Sequence, residues 1–430
     1  EYTIIHSTYL CEDTMKLFQR LLVAPAALGL MAPLAANADI TSVSNESDLS
    51  SEVIQARVDG VEAQLGEIQA GSFSSNTKMS GKTAFITGYV DDDADADPKT
   101  DSITFEYMFQ LNLNTSFTGQ DNLYTRIKTG NVSYHFEDKT DGTYLSAANG
   151  NDDVLEVDKL WYTFPVGDSL TVWVGPKIEN YYMLASSPSI YKPVTKQFAL
   201  GPNGSAYGSS TSPGFGVAWT QQVEDPTSAR WALSANYTSK DGTSADSEEG
   251  MFGEDARKFF LTKLEYGAPR WQVSAAAAVK EGGGYDGYFH SDLAKGYTTD
   301  TTAVGLRAYW KPENSGGVPE IQVGYDFASI DDAVEGDAEE TAGWMVGLGW
   351  KDLFIDGNRA GLALGSRMHA TDIKGKGYTD PSDDNTVWEA YYTFKVNDGI
   401  SVTPAIFGGN DIESEGSDIQ GAVLLTEFRF

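Results

Sequence analysis

The stretch from Ile103 to Phe117 reads ITFEYMFQLNLNTSF and alternates apolar with polar side chains over almost its whole length. A period of two gives a strand one apolar and one polar face. Strands of soluble sheets usually have about 5–6 residues, whereas tilted strands that cross a membrane need about 9–11. The stretch therefore predicts a membrane-spanning β-strand.

The same alternation recurs along the chain and predicts sixteen strands. Connections after even-numbered strands are short, and those after odd-numbered strands are mostly longer. An even strand count with short turns on one side and long loops on the other is typical of an outer-membrane barrel, with both chain ends on the short-turn, periplasmic side. The predicted strands are 82–90, 102–117, 122–134, 154–166, 168–178, 213–222, 229–239, 256–267, 269–280, 300–311, 318–329, 341–351, 358–369, 386–396, 399–409 and 419–430.

Composition excludes several protein classes. The chain has 430 residues with 62 acidic against 30 basic side chains, and this balance argues against a nucleic-acid partner. The 22 Tyr, 20 Phe and 9 Trp argue against a disordered acidic chain. The lone Cys11 excludes a disulfide framework, and the four scattered histidines fit no catalytic motif. We therefore expect neither an enzyme nor a bound cofactor.

An acidic run at Asp91–Asp97 invites comparison with a calcium loop. It departs from the EF-hand pattern because the sixth position is Ala96 rather than glycine and the twelfth is Ser102 rather than glutamate. A solvated surface loop is the favoured interpretation, and no metal site is predicted.

The N-terminal region has the pattern of an export signal. Met15 opens a short basic region, and an apolar stretch at 21–34 leads to the small residues of Ala36-Asn37-Ala38. This order predicts a cleaved signal peptide at 15–38, because the apolar core is too short for a membrane anchor. Residues 1–14 are expected to be an upstream extension foreign to the natural product.

Residues 39–72 are predicted to form a periplasmic linker with one short helix, ahead of a barrel domain at 73–430. The apolar residues of the helix are spaced like the a and d positions of a coiled coil over about two heptads. Two alternatives stay open: a small coiled coil that helps to trimerise the protein, or an amphipathic helix lying against the barrel. The apolar positions are Ile54, Val58, Val61, Leu65 and Ile68.

Aromatic residues provide an independent indication of the barrel. All nine tryptophans fall in predicted strands, and most lie near a strand end in phase with apolar neighbours. This is the pattern of the aromatic girdles of a membrane barrel. The periplasmic girdle is predicted to contain Trp219, Trp231, Trp271, Trp310 and Trp350. At the chain end, Phe428 and Phe430 resemble the C-terminal assembly signal of bacterial outer-membrane barrels.

Two segments carry a family resemblance. FSSNTKMSG at 73–81 joins the helix to the first strand, and DKLWYTFPVGD at 158–168 is followed by TVWVGP at 171–176. Both resemble cyanobacterial outer-membrane porins of the carbohydrate-selective (OprB-like) family, over essentially the whole mature chain. Such porins usually carry an S-layer-homology domain before the helix. The segment from Asp39 to about Ser51 is far too short for one, so wall attachment would have to use the helix itself.

The longest connection, 179–212, follows the fifth strand. In general porins the corresponding loop folds into the lumen and narrows it, and the several prolines of this segment indicate a defined loop. We expect Lys177, Lys192 and Lys196 to line the constriction. The alternative is a loop that merely covers the barrel mouth.

The polar faces of the predicted strands carry ten bases against four acids. The sequence therefore predicts a basic lumen that tolerates anions, unless the wall charges neutralise one another in pairs. The bases are Arg126, Lys128, Lys159, Lys177, Lys263, Arg307, Arg359, Arg367, Lys395 and Arg429, and the acids are Glu106, Glu265, Glu389 and Glu427.

Taken together, these patterns predict an all-β membrane protein, a 16-stranded antiparallel transmembrane β-barrel with a short N-terminal α-helix. As a homotrimer in outer-membrane lipid it would let small hydrophilic solutes diffuse passively: inorganic ions and, if the lumen is wide enough, carbohydrates. Its helix could also contact the peptidoglycan side of the envelope. The alternatives are a structural protein that links membrane to cell wall with little conduction, and a soluble secreted β-rich adhesin.

Overall fold

The computed structural model describes residues 76–92, 102–137, 142–202, 204–208, 211–282, 300–314, 316–375, 385–410 and 418–430. Within these ranges the chain forms seventeen strands of one sheet. The strands are β1 (Thr77–Asp92), β2 (Thr104–Thr115), β3 (Asn122–Gly130), β4 (Glu156–Val166), β5 (Leu170–Ile178), β6 (Ser212–Thr220), β7 (Arg230–Ser239), β8 (Lys258–Ala268), β9 (Trp271–Glu281), β10 (Thr301–Trp310), β11 (Glu320–Ile330), β12 (Ala338–Lys351), β13 (Arg359–Ser366), β14 (His369–Ile373), β15 (Thr386–Lys395), β16 (Ile400–Asn410) and β17 (Ile419–Arg429).

The sheet closes on itself into a barrel. Its strands are antiparallel, and β1 pairs with both β2 and β17, so the first and last strands complete the ring. The segments β13 and β14 follow one another along β12 and together make one span, which gives sixteen spans as predicted. The predicted antiparallel barrel is therefore confirmed, whereas the helix predicted around Ile54–Ile68 lies outside the described residues.

One predicted strand is wrong as a continuous element. The sequence pattern extended it over 358–369, but the structure interrupts it at Arg367 and Met368, between β13 and β14. The pairing of β14 with β12 contains register shifts, and a Cβ atom on Gly343 would come within 2.9 Å of the Met368 sulfur. The chain crosses so closely over Gly343 that regular pairing stops, and Arg367 becomes completely buried.

The strands alternate between two environments, as the sequence predicts. In β9, every second side chain is exposed, as Val273 is at 49%, while Ala276 and Ala278 on the other face are buried. Large apolar side chains such as Leu264, Leu306 and Val323 are exposed on neighbouring strands. An apolar outer surface of this kind suits lipid contact rather than water.

Loops fill part of the barrel interior. One apolar cluster packs Phe136, Leu145 and Phe198 from two loops against β1, β15, β16 and β17. A second packs Leu200 and Tyr207 against Leu261 of β8 and against alanines of β9–β11. The described loops contain three short 3₁₀ helices, at Tyr134–Glu137, Asn180–Tyr182 and Lys196–Phe198. None of the helices in the described ranges has the length and apolar character needed to cross a membrane.

Candidate pore constriction and lumen

The long loop between β5 and β6 runs along the inner wall of the barrel. Its described residues, 179–202, 204–208 and 211, meet side chains of β7, β8, β10, β11 and β15 that face away from the exposed apolar surface. The loop therefore occupies the lumen. The contacts in chain order are Asn236 Nδ2 to Asn180 O (3.0 Å), Ala185 N to Ser234 Oγ (2.9 Å), Lys263 Nζ to Ser186 O (3.0 Å), Ile190 N to Gln322 Oε1 (3.0 Å), Tyr391 OH to Lys192 O (2.6 Å) and Arg307 Nε to Leu200 O (2.8 Å).

Glu389 on β15 is the strongest single anchor of this loop. Its Oε2 accepts hydrogen bonds from the backbone N–H of Thr195 (2.7 Å) and from the Thr195 hydroxyl (2.6 Å). Its Oε1 accepts the Tyr191 hydroxyl (2.9 Å) and the Val194 N–H (3.2 Å). The Glu389 side chain is completely buried, so these four donors replace its hydration. The strand pattern predicts Glu389 on the wall, but no local sequence signal indicates this contact with the loop.

A second loop reinforces the first. Leu145, in the connection between β3 and β4, forms an isolated bridge with Thr195. On either side of this bridge, Ser146 N donates to Val194 O (2.8 Å) and Lys196 N donates to Tyr144 O (2.7 Å). The ammonium of Lys196 lies 4.7 Å from the centre of the Tyr144 ring. The two loops thus form one hydrogen-bonded unit inside the barrel.

Small residues on the wall make room for the loop. A Cβ atom on Gly324 of β11 would overlap the carbonyl oxygen of Gly201, so the loop backbone touches the strand backbone there. Below the loop residues Leu184 and Tyr207, the inward positions of β9–β11 are alanines at 276, 278, 303 and 328. This run of small inward residues, rather than the charges on the polar faces, is the sequence sign that a loop covers the wall.

Most charged groups of the wall are paired. Lys159 lies 2.8 Å from Glu179, and Arg429 lies 3.0 Å from Glu427. Further pairs join Arg126 with Asp158, Lys263 with Glu265, Arg307 with Asp326, and Lys82 with Glu427. Three of these acids, Asp158, Glu179 and Asp326, were absent from the predicted wall. The predicted excess of ten bases over four acids was therefore too large, and local pairing removes much of it.

The residues predicted to line the constriction lie in different environments in the structure. Lys177 is exposed, and its ammonium donates to Val157 O (2.9 Å). A register shift between Gly175 and Ile178 turns Ile178 inward in its place, so the prediction that Lys177 lines the constriction is wrong. Lys128 donates to Ala148 O (3.2 Å), and Glu106 accepts from Ser133 N (3.3 Å), so both hold the β3–β4 loop.

Two of the bases predicted to line the lumen are buried and form hydrogen bonds with loop residues. Arg307 is buried between the loop and the wall, with Nε bonded to Leu200 O and Nη2 bonded to Pro202 O (3.2 Å). Arg367 is also buried, and its Nε donates to Asn385 Oδ1 (3.4 Å). Both residues therefore position backbone or neighbouring side chains.

Lys192 and Arg359 border open space. A cavity of ≈ 700 Å³ lies between the loops and the short-turn end of the barrel. A second cavity of ≈ 290 Å³ lies beside it, and both are lined by Lys192, Lys351, Arg359 and Tyr391. The charged residues of the larger cavity are Lys82, Lys192, Lys351, Arg359, Lys395 and Arg429, with Asp352, Asp398 and Glu427. The structure thus brings Lys192 and Arg359 together where the two cavities adjoin.

The aromatic residues singled out in the sequence lie at the short-turn ends of their strands. Exposure is 40% for Trp219, 45% for Trp231, 37% for Trp271 and 40% for Trp310, and Trp350 is half-buried with its Nε1 donating to Gly317 O (3.2 Å). At the chain end, Phe428 packs edge-on against Phe85.

Comparison with known proteins identifies the family. Residues 35–407 match the model of the carbohydrate-selective porin, OprB family. The chain belongs to the OprB family of carbohydrate-selective porins. This OprB-family chain is 23% identical over 406 residues to an uncharacterized protein of Nostoc sp. (strain PCC 7120) and 25% identical over 396 residues to one of Synechocystis sp. (strain PCC 6803).

Both cyanobacterial alignments cover 84% of the present chain, which spans 66% of the Nostoc relative and 70% of the Synechocystis relative. Among solved structures, Pseudomonas putida OprB superposes with a TM-score of 0.55 at 12% identity, over 83% of this chain and 94% of that one. At 12% identity this similarity shows a shared fold, and the fold of this chain is an OprB-family barrel.

Proposed function

We propose that this OprB-family chain is an outer-membrane porin, through which small hydrophilic solutes diffuse passively. The observation that carries the proposal is the loop at 179–211, which is bonded to the inner wall from β7 to β15 and leaves two adjoining cavities lined by charged and polar groups. Water-filled barrels with an inward-folded loop conduct by diffusion. The function requires no catalytic step, cofactor or energy coupling.

Inorganic ions are the first solutes we propose. Their passage needs only a hydrated path with compensating charges, which the mixed lining of the larger cavity supplies. Carbohydrates are the second class, supported by the description of the family. Hydroxyl-rich solutes would meet donors and acceptors such as Tyr391, Thr393 and Ser401 in the same cavity.

Conductance separates this proposal from its main alternative. Purified protein is added to planar lipid bilayers in KCl, and liposome swelling is measured with sugars of increasing size. We expect stepwise currents, and swelling rates that fall as sugar size rises. Heat-denatured protein in the same detergent is the control. Complete absence of current steps and of swelling would contradict the porin and favour a structural membrane–wall linker.

We further propose export through the signal at 15–38, assembly guided by Phe428 and Phe430, and anchoring at the membrane interface by Trp219, Trp231, Trp271, Trp310 and Trp350. We propose a separate role for the N-terminal helix.

This helix is proposed to stabilise a homotrimer through Ile54, Val58, Val61, Leu65 and Ile68. Deleting residues 52–70 should convert a trimer into monomers, as measured by native mass in detergent. The same deletion tests binding to isolated peptidoglycan, and an unchanged mass and unchanged binding would contradict both roles of the helix.

A further inference from the structure

The boundary between the two adjoining cavities has a distinctive charge arrangement. Four residues line both cavities: Lys192 from the loop, Lys351 from β12, Arg359 from β13 and Tyr391 from β15. Three of the four are cationic. Because a solute that passes between the cavities moves past all four side chains, their charges act on it at short range.

Among the described residues, acid partners neutralise most of the nearby bases, including Lys351, but not Lys192 and Arg359. Lys351 lies 2.6 Å from Glu320, and Lys395 lies 2.7 Å from Asp398. By contrast, within the described part of the chain neither the Lys192 ammonium nor the Arg359 guanidinium has an acidic partner. Lys192 and Arg359 therefore present two positive charges that no direct ion pair within these ranges neutralises.

The fold fixes these two charges from two different elements. Arg359 begins β13 and is fixed by the paired strand β15, through Thr393. The Lys192 backbone is fixed because the Tyr391 hydroxyl donates to Lys192 O (2.6 Å), while Glu389, two residues earlier on β15, holds the neighbouring Val194 and Thr195. One charge thus comes from the wall and the other from the loop, and β15 links both.

We propose that Lys192 and Arg359 form a selectivity pair that makes the channel prefer small anions, with oxyanions such as inorganic phosphate recognised most strongly. The planar guanidinium of Arg359 offers a fork of donors that matches two oxyanion oxygens, and the Lys192 ammonium adds a compact charge. Charges this close to the ion path are weakly screened, since the Debye length is about 8 Å at physiological salt. This inference rests on the proposed porin function and adds its solute class.

Reversal potentials in a KCl gradient across planar bilayers test the pair. We expect wild-type protein to pass chloride in preference to potassium, and the double variant Lys192→Gln/Arg359→Gln to lower the chloride-to-potassium permeability ratio by about fivefold. Lys177→Gln is the control, because it removes one positive charge from an exposed site outside both cavities. It should leave the ratio unchanged.

Inorganic phosphate tests the recognition of oxyanions. Phosphate added to one chamber should reduce the chloride current of wild-type protein at concentrations that leave Arg359→Lys unaffected, although Arg359→Lys should keep the chloride preference. Cation preference in wild-type protein, or an equal effect of Lys177→Gln, would overturn the selectivity pair while leaving the porin intact. Equal phosphate block in wild type and Arg359→Lys would overturn the oxyanion part. Absence of any current would contradict the porin itself.

Discussion

Both hydrogen-bond donors of Thr195, its backbone N–H and its hydroxyl, point at one oxygen of Glu389, at 2.7 Å and 2.6 Å. The other Glu389 oxygen holds Tyr191 and Val194. One buried carboxylate thus fixes the stretch of loop that carries Lys192. Charge-assisted hydrogen bonds of this kind are roughly twice as strong as neutral ones.

The variant Glu389→Gln should loosen the constriction. Whichever way the amide is oriented, its NH₂ group faces a backbone N–H, that of Val194 or that of Thr195, and this leaves a buried donor without an acceptor. We expect noisier and larger single-channel conductance, with a loss of stability of about 1–3 kcal/mol. Glu254→Gln, at an exposed loop position, is the control and should behave as wild type. Identical open-channel noise in both variants would argue against the tether.

The contact between the loop and β11 gives a steric prediction. Gly324→Ala places a methyl group onto the carbonyl oxygen of Gly201, so either the loop or the strand must shift, at a cost of about 1–3 kcal/mol. Urea unfolding in detergent should show the loss. Gly349→Ala is the matched control, since a Cβ atom there meets nothing within 4 Å. Equal stability of the two variants would show that the loop does not press on Gly324.

The buried pair Arg307–Asp326 predicts strong non-additivity. Asp326→Ala leaves the Arg307 guanidinium buried without its acid and should cost about 3–5 kcal/mol. The double variant Arg307→Met/Asp326→Ala removes both charges and should recover much of this loss, although Leu200 O and Pro202 O then lose their Arg307 donors. A double-mutant cycle by urea unfolding measures the coupling. Additive effects would contradict a mutually dependent pair.

Asp121 makes the turn between β2 and β3 sensitive to acid. The Tyr162 hydroxyl donates to its Oδ2 (2.6 Å), and Thr118 and Phe117 donate to its Oδ1 through their backbone N–H groups (2.8 and 2.9 Å). These bonds, that of Tyr162 first, hold the pKa of Asp121 well below its usual value near 3.9. A carboxyl with a depressed folded-state pKa stabilises the protein above its unfolded-state pKa, and this stabilisation disappears as pH falls through the folded-state pKa.

Asp121→Asn should therefore lower the unfolding midpoint at neutral pH, and the difference from wild type should shrink below about pH 4. Heat-modifiable gel mobility at a series of pH values measures it. Asp168→Asn, in the next short turn, is the control, because within the described residues the Asp168 carboxylate has no hydrogen-bond donor. A pH-independent difference for Asp121→Asn would contradict the assignment.

The barrel could be predicted from sequence because lipid imposes a period of two that recurs in every span. β9 shows this most clearly, with Val273 outside and Ala276 inside. The loop path could not be predicted in the same way. Thr195 and Glu389 are 194 residues apart, and no local pattern records which wall residue meets which loop residue.

Alternation along the sequence predicts the wrong face of the barrel for side chains that follow a bulge in a strand. The irregularity between Gly175 and Ile178 inverts the expected face of Lys177, and another beside Arg126 brings Asp158 inward. A bulge adds one residue and therefore shifts every later side chain to the opposite face. Pro176 was the available sign, since proline within a strand favours an edge or a bulge.

The anchoring of the loop at β15 has a consequence for biogenesis. A ribosome completes the residues around Thr195 long before it reaches Glu389, so the acceptor for those donors does not yet exist when the loop is made. The diameter of the passage is thus a property of the finished ring rather than of any hairpin within it. A chain that ends before residue 386 would lack the acceptor altogether. Its loop around Thr195 would then have no partner on β15 to fix the diameter of the passage.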